Sequence, residues 1–155
     1  MSDTTELYQS LILDHSRSPR NHGAPAVVDR VADGRNPMCG DQLRVWVALD
    51  GDDRVSEVRF AGKGCAISQA SASLMTVAVK GKTRDEAEAM FARFHDLVTG
   101  KPVDDGAKDA LGKLVVFGGV SRFPARVKCA SLGWHAMRAA LNAKPAAAAP
   151  AVSTE

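Results

Sequence analysis

From Gln42 to Leu49 the chain alternates, with Leu43, Val45, Val47 and Leu49 standing between Gln42, Arg44, Trp46 and Ala48. A period of two is the pattern of a strand with one buried face. Asp50-Gly51-Asp52-Asp53 then turns the chain, and Val58 and Phe60 resume the alternation, which predicts an antiparallel hairpin with Gly62 and Gly64 bending its end. A sheet this small cannot bury its own apolar face, so the rest of the chain must cover it.

The remainder reads as helices. Asp3 followed by Glu6 has the form of a capping box, and Leu7, Tyr8, Leu11, Ile12 and His15 recur at helical spacing to a stop near Arg17. Between Ser18 and Met38, Pro19, Gly23, Pro25, Gly34 and Pro37 interrupt the chain too often for long regular structure, and this stretch reads as an extended surface segment. Ile67, Ala70, Leu74 and Val77 share a helical face that begins close to Cys65 and stops at Gly81. Thr83 and Glu86 form a second capping box before Ala87, Met90, Phe91, Phe94, Leu97 and Val98. A shorter helix is expected around Ala107, Leu111, Leu114 and Val115, closed by Gly118-Gly119. The last helix turns Val127, Ala130, Trp134, Met137 and Leu141 inward. The expected fold is α+β, a small antiparallel sheet covered by several helices in one domain over residues 1–143. The Ala/Pro-rich stretch over 144–155 reads as a disordered tail.

Charge narrows the function classes. Twenty basic residues against 18 acidic ones give a net charge of +2 with no dense Lys/Arg block, so no nucleic-acid surface is expected. Met1 to Glu6 are polar and acidic where a secretory signal needs a basic start and an apolar run, and no stretch approaches a membrane span, so a cytoplasmic location is expected.

Three cysteines, an odd number and far apart, make a poor disulfide framework and leave thiol, metal or core roles. Cys39 lies in Asn36-Pro37-Met38-Cys39-Gly40-Asp41; in an extended run, residues two apart face the same way, so Cys39 and Asp41 can converge on one ion. The plainer alternative is a turn with Asp41 merely solvated. Cys65 is flanked by Gly64 and opens a predicted helix, whose N-terminal partial charge favours the thiolate, though a small buried hydrophobe fits equally. Cys129 lies near the start of the last helix with Arg126 three residues before it, or it is simply structural. Together these positions supply three soft sulfurs and one carboxylate, enough to close a tetrahedral Zn²⁺ site. Lys63, Arg126 and Lys128 would partly offset its negative charge. The spacing is not diagnostic, because no paired Cys-x-x-Cys occurs.

Several motifs in one order carry more. Leu7-Tyr8 through Asp14-His15, Pro19-Arg20-Asn21, Asn36 to Asp41, Gly64-Cys65-Ala66-Ile67-Ser68 with Ala70-Ser71-Ala72-Ser73, and Phe123 to Cys129 closely resemble the SufU family, relatives of the IscU scaffold proteins. IscU-type scaffolds usually have a histidine directly before the third cysteine, where this chain has Lys128, and the helix from Arg84 to Val98 looks like the extra segment of SufU-type proteins. Ser16 departs from the pattern, since relatives often have an aromatic residue after the Asp-His pair.

The resemblance implies an IscU/SufU-like fold and zinc held by Cys39, Asp41, Cys65 and Cys129. It also implies a SufS-type cysteine desulfurase as partner, a Suf-type cluster scaffold downstream, and zinc-dependent sulfur transfer for iron–sulfur cluster assembly. Cys39 is the expected persulfide acceptor, because its glycine-flanked loop moves more easily than a helix start, and Arg126 the supporting cation. The alternatives are a scaffold that builds a [2Fe–2S] cluster or holds iron on the same thiolates, a structural zinc module for partner binding, and a cysteine hydrolase pairing Cys65 with His15, His22, His95 or His135.

Overall fold

The computed structural model describes residues 3–145 and 150–154, with side chains from Glu6 onward. The expected Asp3 capping box therefore lies outside the described residues. Helix α1 (Asp3–Arg17) is followed by strands β1 (Arg30–Asn36), β2 (Asp41–Leu49) and β3 (Val55–Lys63), then helices α2 (Ala66–Val79), α3 (Arg84–Val98) and α4 (Asp105–Leu111). A 3₁₀ segment (Gly112–Arg122), helix α5 (Pro124–Leu141) and a short strand β4 (Ala151–Ser153) complete the order.

The predicted hairpin is β2 and β3, antiparallel, with Val45 opposite Phe60 and Val47 opposite Val58. Leu43, Val45, Val47, Val58 and Phe60 are buried, as the alternation requires. In its turn, Asp50 Oδ1 accepts from the Asp52 and Arg54 backbone N–H groups, at 2.9 and 3.1 Å, and the left-handed residue is Asp53. Asn and Asp tolerate that conformation better than other non-glycine residues.

The sheet nevertheless has four strands, in the order β3-β2-β1-β4. Strand β1 lies within the stretch expected to be irregular. Only Val31 and Ala32 are apolar and buried there, while Asp33, Gly34, Arg35 and Asn36 carry no strand signature. The segment is a strand because its backbone pairs with β2 along its whole length, from Arg30 opposite Val47 to Asn36 opposite Asp41. The far end of the expected tail also differs: Ala151–Ser153 add to β1 in parallel, so the sheet is mixed rather than purely antiparallel. The Asp33 N–H donates to the Pro150 carbonyl at 2.8 Å and the Thr154 N–H to the Arg35 carbonyl at 2.9 Å. Residues 146–149, expected to be disordered, and 155 lie outside the described residues.

Helices α2 and α5 cover the buried face of the sheet and carry the core's centre. Trp134 of α5 is fully buried and stacks on Phe94 of α3 at 4.5 Å, an aromatic pair that contributes about 0.5–1.5 kcal/mol beyond its area. Thr83 and Glu86 form the predicted capping box at the start of α3, worth about 1 kcal/mol. The expected short helix does not close at Gly118-Gly119; it tightens after Leu111 into the 3₁₀ segment, which buries Leu114, Val116, Phe117 and Val120. No helix among the described residues is long and apolar enough to cross a membrane.

Candidate metal centre

Pro37, Met38, Cys39 and Gly40 are the loop between β1 and β2, whose last pair is Asn36 and Asp41. The Cys39 N–H donates to the Asn36 carbonyl at 3.2 Å, and Gly40 turns the chain in the left-handed region, φ +72°. A turn, not the extended run expected from the sequence, therefore brings Cys39 and Asp41 to one side. Cys39 is exposed at the tip, whereas Asp41 is almost fully buried at the root of β2.

Cys65 is the N-cap of α2. Its sulfur accepts from the Ser68 N–H at 3.5 Å and lies 3.7 Å from the Ser68 hydroxyl. Its own N–H donates to Asp41 Oδ1 at 2.9 Å, which ties the helix start to the root of β2. This approach needs glycine at the preceding position: a Cβ on Gly64 would sit 2.7 Å from Asp41 Oδ1 and collide with the Ser68 hydroxyl. Cys129 lies more than a turn inside α5, deeper than expected, and is buried.

The fold brings these segments together. One ligand atom each from Cys39, Asp41 and Cys129 lies within 4.8 Å of the others, a group that can hold a metal ion. The Cys39 and Cys129 sulfurs are 3.4 Å apart, close to the separation of about 3.8 Å that two thiolates take on one tetrahedral zinc. Cys65 falls outside that mutual group, but its sulfur lies 4.0 Å from Asp41 Oδ2. Three sulfurs and a carboxylate converging from three directions fit a zinc ion in donor type and number.

The thiols are electrostatically unequal. Cys65 is held down to about 6, first by a hydrogen bond from Cys129 and then by the Ser68 N–H and hydroxyl, against burial and the Asp41 charge. Cys129 is pushed well up by the bond it gives Cys65, by burial, and by its contact with Cys39. A bound dication would favour the thiolate form of each.

The expected cations are placed differently from one another. Arg126 is exposed and its guanidinium lies over the Phe123 ring at 4.4 Å, with no hydrogen bond to a sulfur among the described residues. Lys128 reaches across to Met38 Sδ at 3.2 Å, bracing the Cys39 loop, and Lys63 is exposed. The histidines are engaged elsewhere. His15 is buried and bonded to Ser73 Oγ at 2.8 Å, His22 lies edge-on to Phe60, and His95 and His135 both pack on Phe91. None bonds to a cysteine among the described residues, so the hydrolase arrangement is not formed. Asn36 and Ser68 were missed as site residues. Ser68 was legible in principle, three residues after a helix N-cap, whereas Asn36 carried no signal beyond opening the Asn36-to-Asp41 motif.

The chain matches the NifU-like N-terminal domain over residues 7–145. It is 47% identical over 132 residues to a Bacillus subtilis protein named zinc-dependent sulfurtransferase SufU, covering 84% of this chain and 86% of that one. It is 39% identical over 142 residues to the iron–sulfur cluster assembly scaffold protein IscU of Streptococcus pyogenes serotype M1, covering 92% and 87%. Among solved structures, a putative iron–sulfur cluster assembly scaffold protein for the SUF system from Fervidobacterium islandicum AW-1 aligns with a TM-score of 0.80 at 36% identity, over 88% of this chain and 97% of that one. A NifU-like N-terminal protein from Brucella abortus aligns with a TM-score of 0.78 at 25% identity, over 91% and 96%. Motifs, fold and comparisons agree, and the chain belongs to the NifU-like N-terminal domain family, among its SufU- and IscU-like members.

Proposed function

We propose that this protein is a zinc-dependent sulfur acceptor in iron–sulfur cluster assembly, taking persulfide sulfur from a SufS-type cysteine desulfurase in the cytoplasm and passing it to a Suf-type scaffold. The observation that carries the reading is the gathering of Cys39, Asp41 and Cys129 with Cys39 alone exposed among the three cysteines. The similarity to the Bacillus protein named a zinc-dependent sulfurtransferase supports it.

Cys39, Asp41, Cys65 and Cys129 hold the ion. Bound zinc would keep the thiols deprotonated and, having no redox chemistry, would leave them unoxidised. Cys39 is the acceptor: its thiolate attacks the outer sulfur of the partner's persulfide, a new bond forms between Cys39 Sγ and that sulfur, and the partner's S–S bond breaks. The partner cysteine leaves as a thiolate, the persulfide charge stays on Cys39, and no external oxidant or reductant is needed. Asp41, Cys65 and Cys129 stay in place, since each is anchored in β2, α2 or α5. Arg126, exposed and lying over the Phe123 ring, supplies positive charge to the arriving sulfur or to the partner's surface.

Labelled persulfide on the desulfurase tests this. The parent should take up label and Cys39→Ala should lose it; undiminished transfer to Cys39→Ala would remove Cys39 as acceptor. The second reading, a scaffold for a [2Fe–2S] cluster, draws on the relatives named IscU and on the same donor set. Anaerobic reconstitution separates them: a stable, transferable cluster favours the scaffold, and zinc that resists exchange favours sulfur transfer.

A further inference from the structure

Asn36, the last residue of β1, is fully buried beside the cysteine cluster. Its Nδ2 reaches Asp41 Oδ2 at 3.4 Å and Cys129 Sγ at 3.5 Å. The reverse amide orientation would set a carbonyl oxygen against a carboxylate and a sulfur, so the donor must face the cluster. Oδ1 is then left buried with no hydrogen-bond partner among the described residues.

That arrangement is unfavourable for the fold alone. A buried unpaired carbonyl destabilises the fold, and an apolar side chain of like volume would avoid that penalty. What the amide does provide is a charge-assisted donor shared between a carboxylate and a sulfur. Asp41 is thereby clamped on both oxygens, Oδ1 by the Cys65 N–H and Oδ2 by Asn36. The Asn36 main-chain carbonyl also accepts the Cys39 N–H that closes the turn. One residue thus closes the turn that carries Cys39 while its side chain contacts two of the other donors.

We propose that Asn36 is the positioning residue of this centre, its side-chain amide holding Asp41 and Cys129 in register for a divalent cation. The inference rests on the zinc-centre reading above and deepens it. Outer groups that orient metal ligands typically contribute roughly ten- to hundredfold in metal affinity.

Asn36→Leu tests it, because leucine fills similar space with no donor. Zinc affinity, measured by competition with a chromophoric chelator, should fall roughly ten- to hundredfold, and the cobalt-substituted protein should show an altered thiolate-to-metal absorption. The metal-free melting temperature should hold or rise, which a merely structural role would not allow. Parent-like zinc affinity with an unchanged cobalt spectrum would overturn the proposal. Should Asn36→Leu fail to fold, the Asn36 side-chain amide protons of the parent decide it: they should shift and exchange more slowly on zinc addition, and unmoved resonances would overturn it. A parent that binds no zinc would remove the centre itself, an outcome distinguishable from a parent that binds zinc regardless of residue 36.

Discussion

The sulfurs of Cys39 and Cys129 lie 3.4 Å apart, one at the exposed tip of a strand connection and the other buried inside α5. A disulfide needs about 2.05 Å between sulfurs, so a small movement of the tip can close it. Mild oxidation of chelator-treated protein should therefore yield a Cys39–Cys129 disulfide, seen by peptide mass spectrometry without reduction. Zinc loading should suppress it. Equal yields with and without zinc would argue that the two sulfurs do not share an ion.

Gly64→Ala should damage the centre without altering a ligand. The added methyl group meets Asp41 Oδ1 and the Ser68 hydroxyl, both needed to seat Cys65. Overpacking of this kind typically costs about 1–3 kcal/mol. Zinc retention against a chelator and the melting temperature should both drop; a variant equal to the parent in both would show that the root of β2 yields easily.

His15 should make the fold acid-sensitive. Burial, then the Arg20 cation, hold its imidazole below the ordinary value, against the neighbouring Asp14 charge. The folded state thus prefers the neutral ring. Its contribution is fully present above the unfolded value of about 6.5 and is lost as pH falls through the lower folded value. In chelator-treated protein, melting temperature from neutral to mildly acidic pH should fall more steeply for the parent than for His15→Gln. His135, shifted the same way by burial and then by His95 and Arg138, leaves a residual slope in the variant. Parallel curves would assign the acid sensitivity to other groups.

Removing residues 146–155 should open the sheet edge at β1. The Asp33 amide loses its bond to the Pro150 carbonyl and should exchange with solvent markedly faster, while core amides of β2 keep their protection. An unchanged Asp33 exchange rate would show that the β4 pairing contributes nothing measurable in solution.

The hairpin, α3 and α5 were legible because each buries residues at a regular period, as with Leu43, Val45 and Val47 or Ala130, Trp134 and Met137. Helix α2 is instead buried almost all round and leaves Val77, expected to share a face with Ile67, Ala70 and Leu74, exposed. Strand β1 was not, because Asp33, Gly34 and Arg35 are held by backbone pairing that leaves no side-chain pattern. The four candidate ligands were named from residue chemistry and motif resemblance. How Cys39 reaches Asp41 was not foreseen, since it depends on a left-handed Gly40. Asn36 stayed hidden for a related reason: its contacts with Cys129 join distant parts of the chain, which only the folded backbone brings near.

Cys129 takes its place from α5, and α5 is wedged between the sheet and Trp134's contact with Phe94. Any fault in that wedge, however far from the sulfurs, would shift one corner of the candidate metal centre. On the zinc-centre reading proposed above, ion occupancy then becomes a gauge of how well the whole molecule has been built, and a misassembled copy would lose the ion before any sulfur reached it.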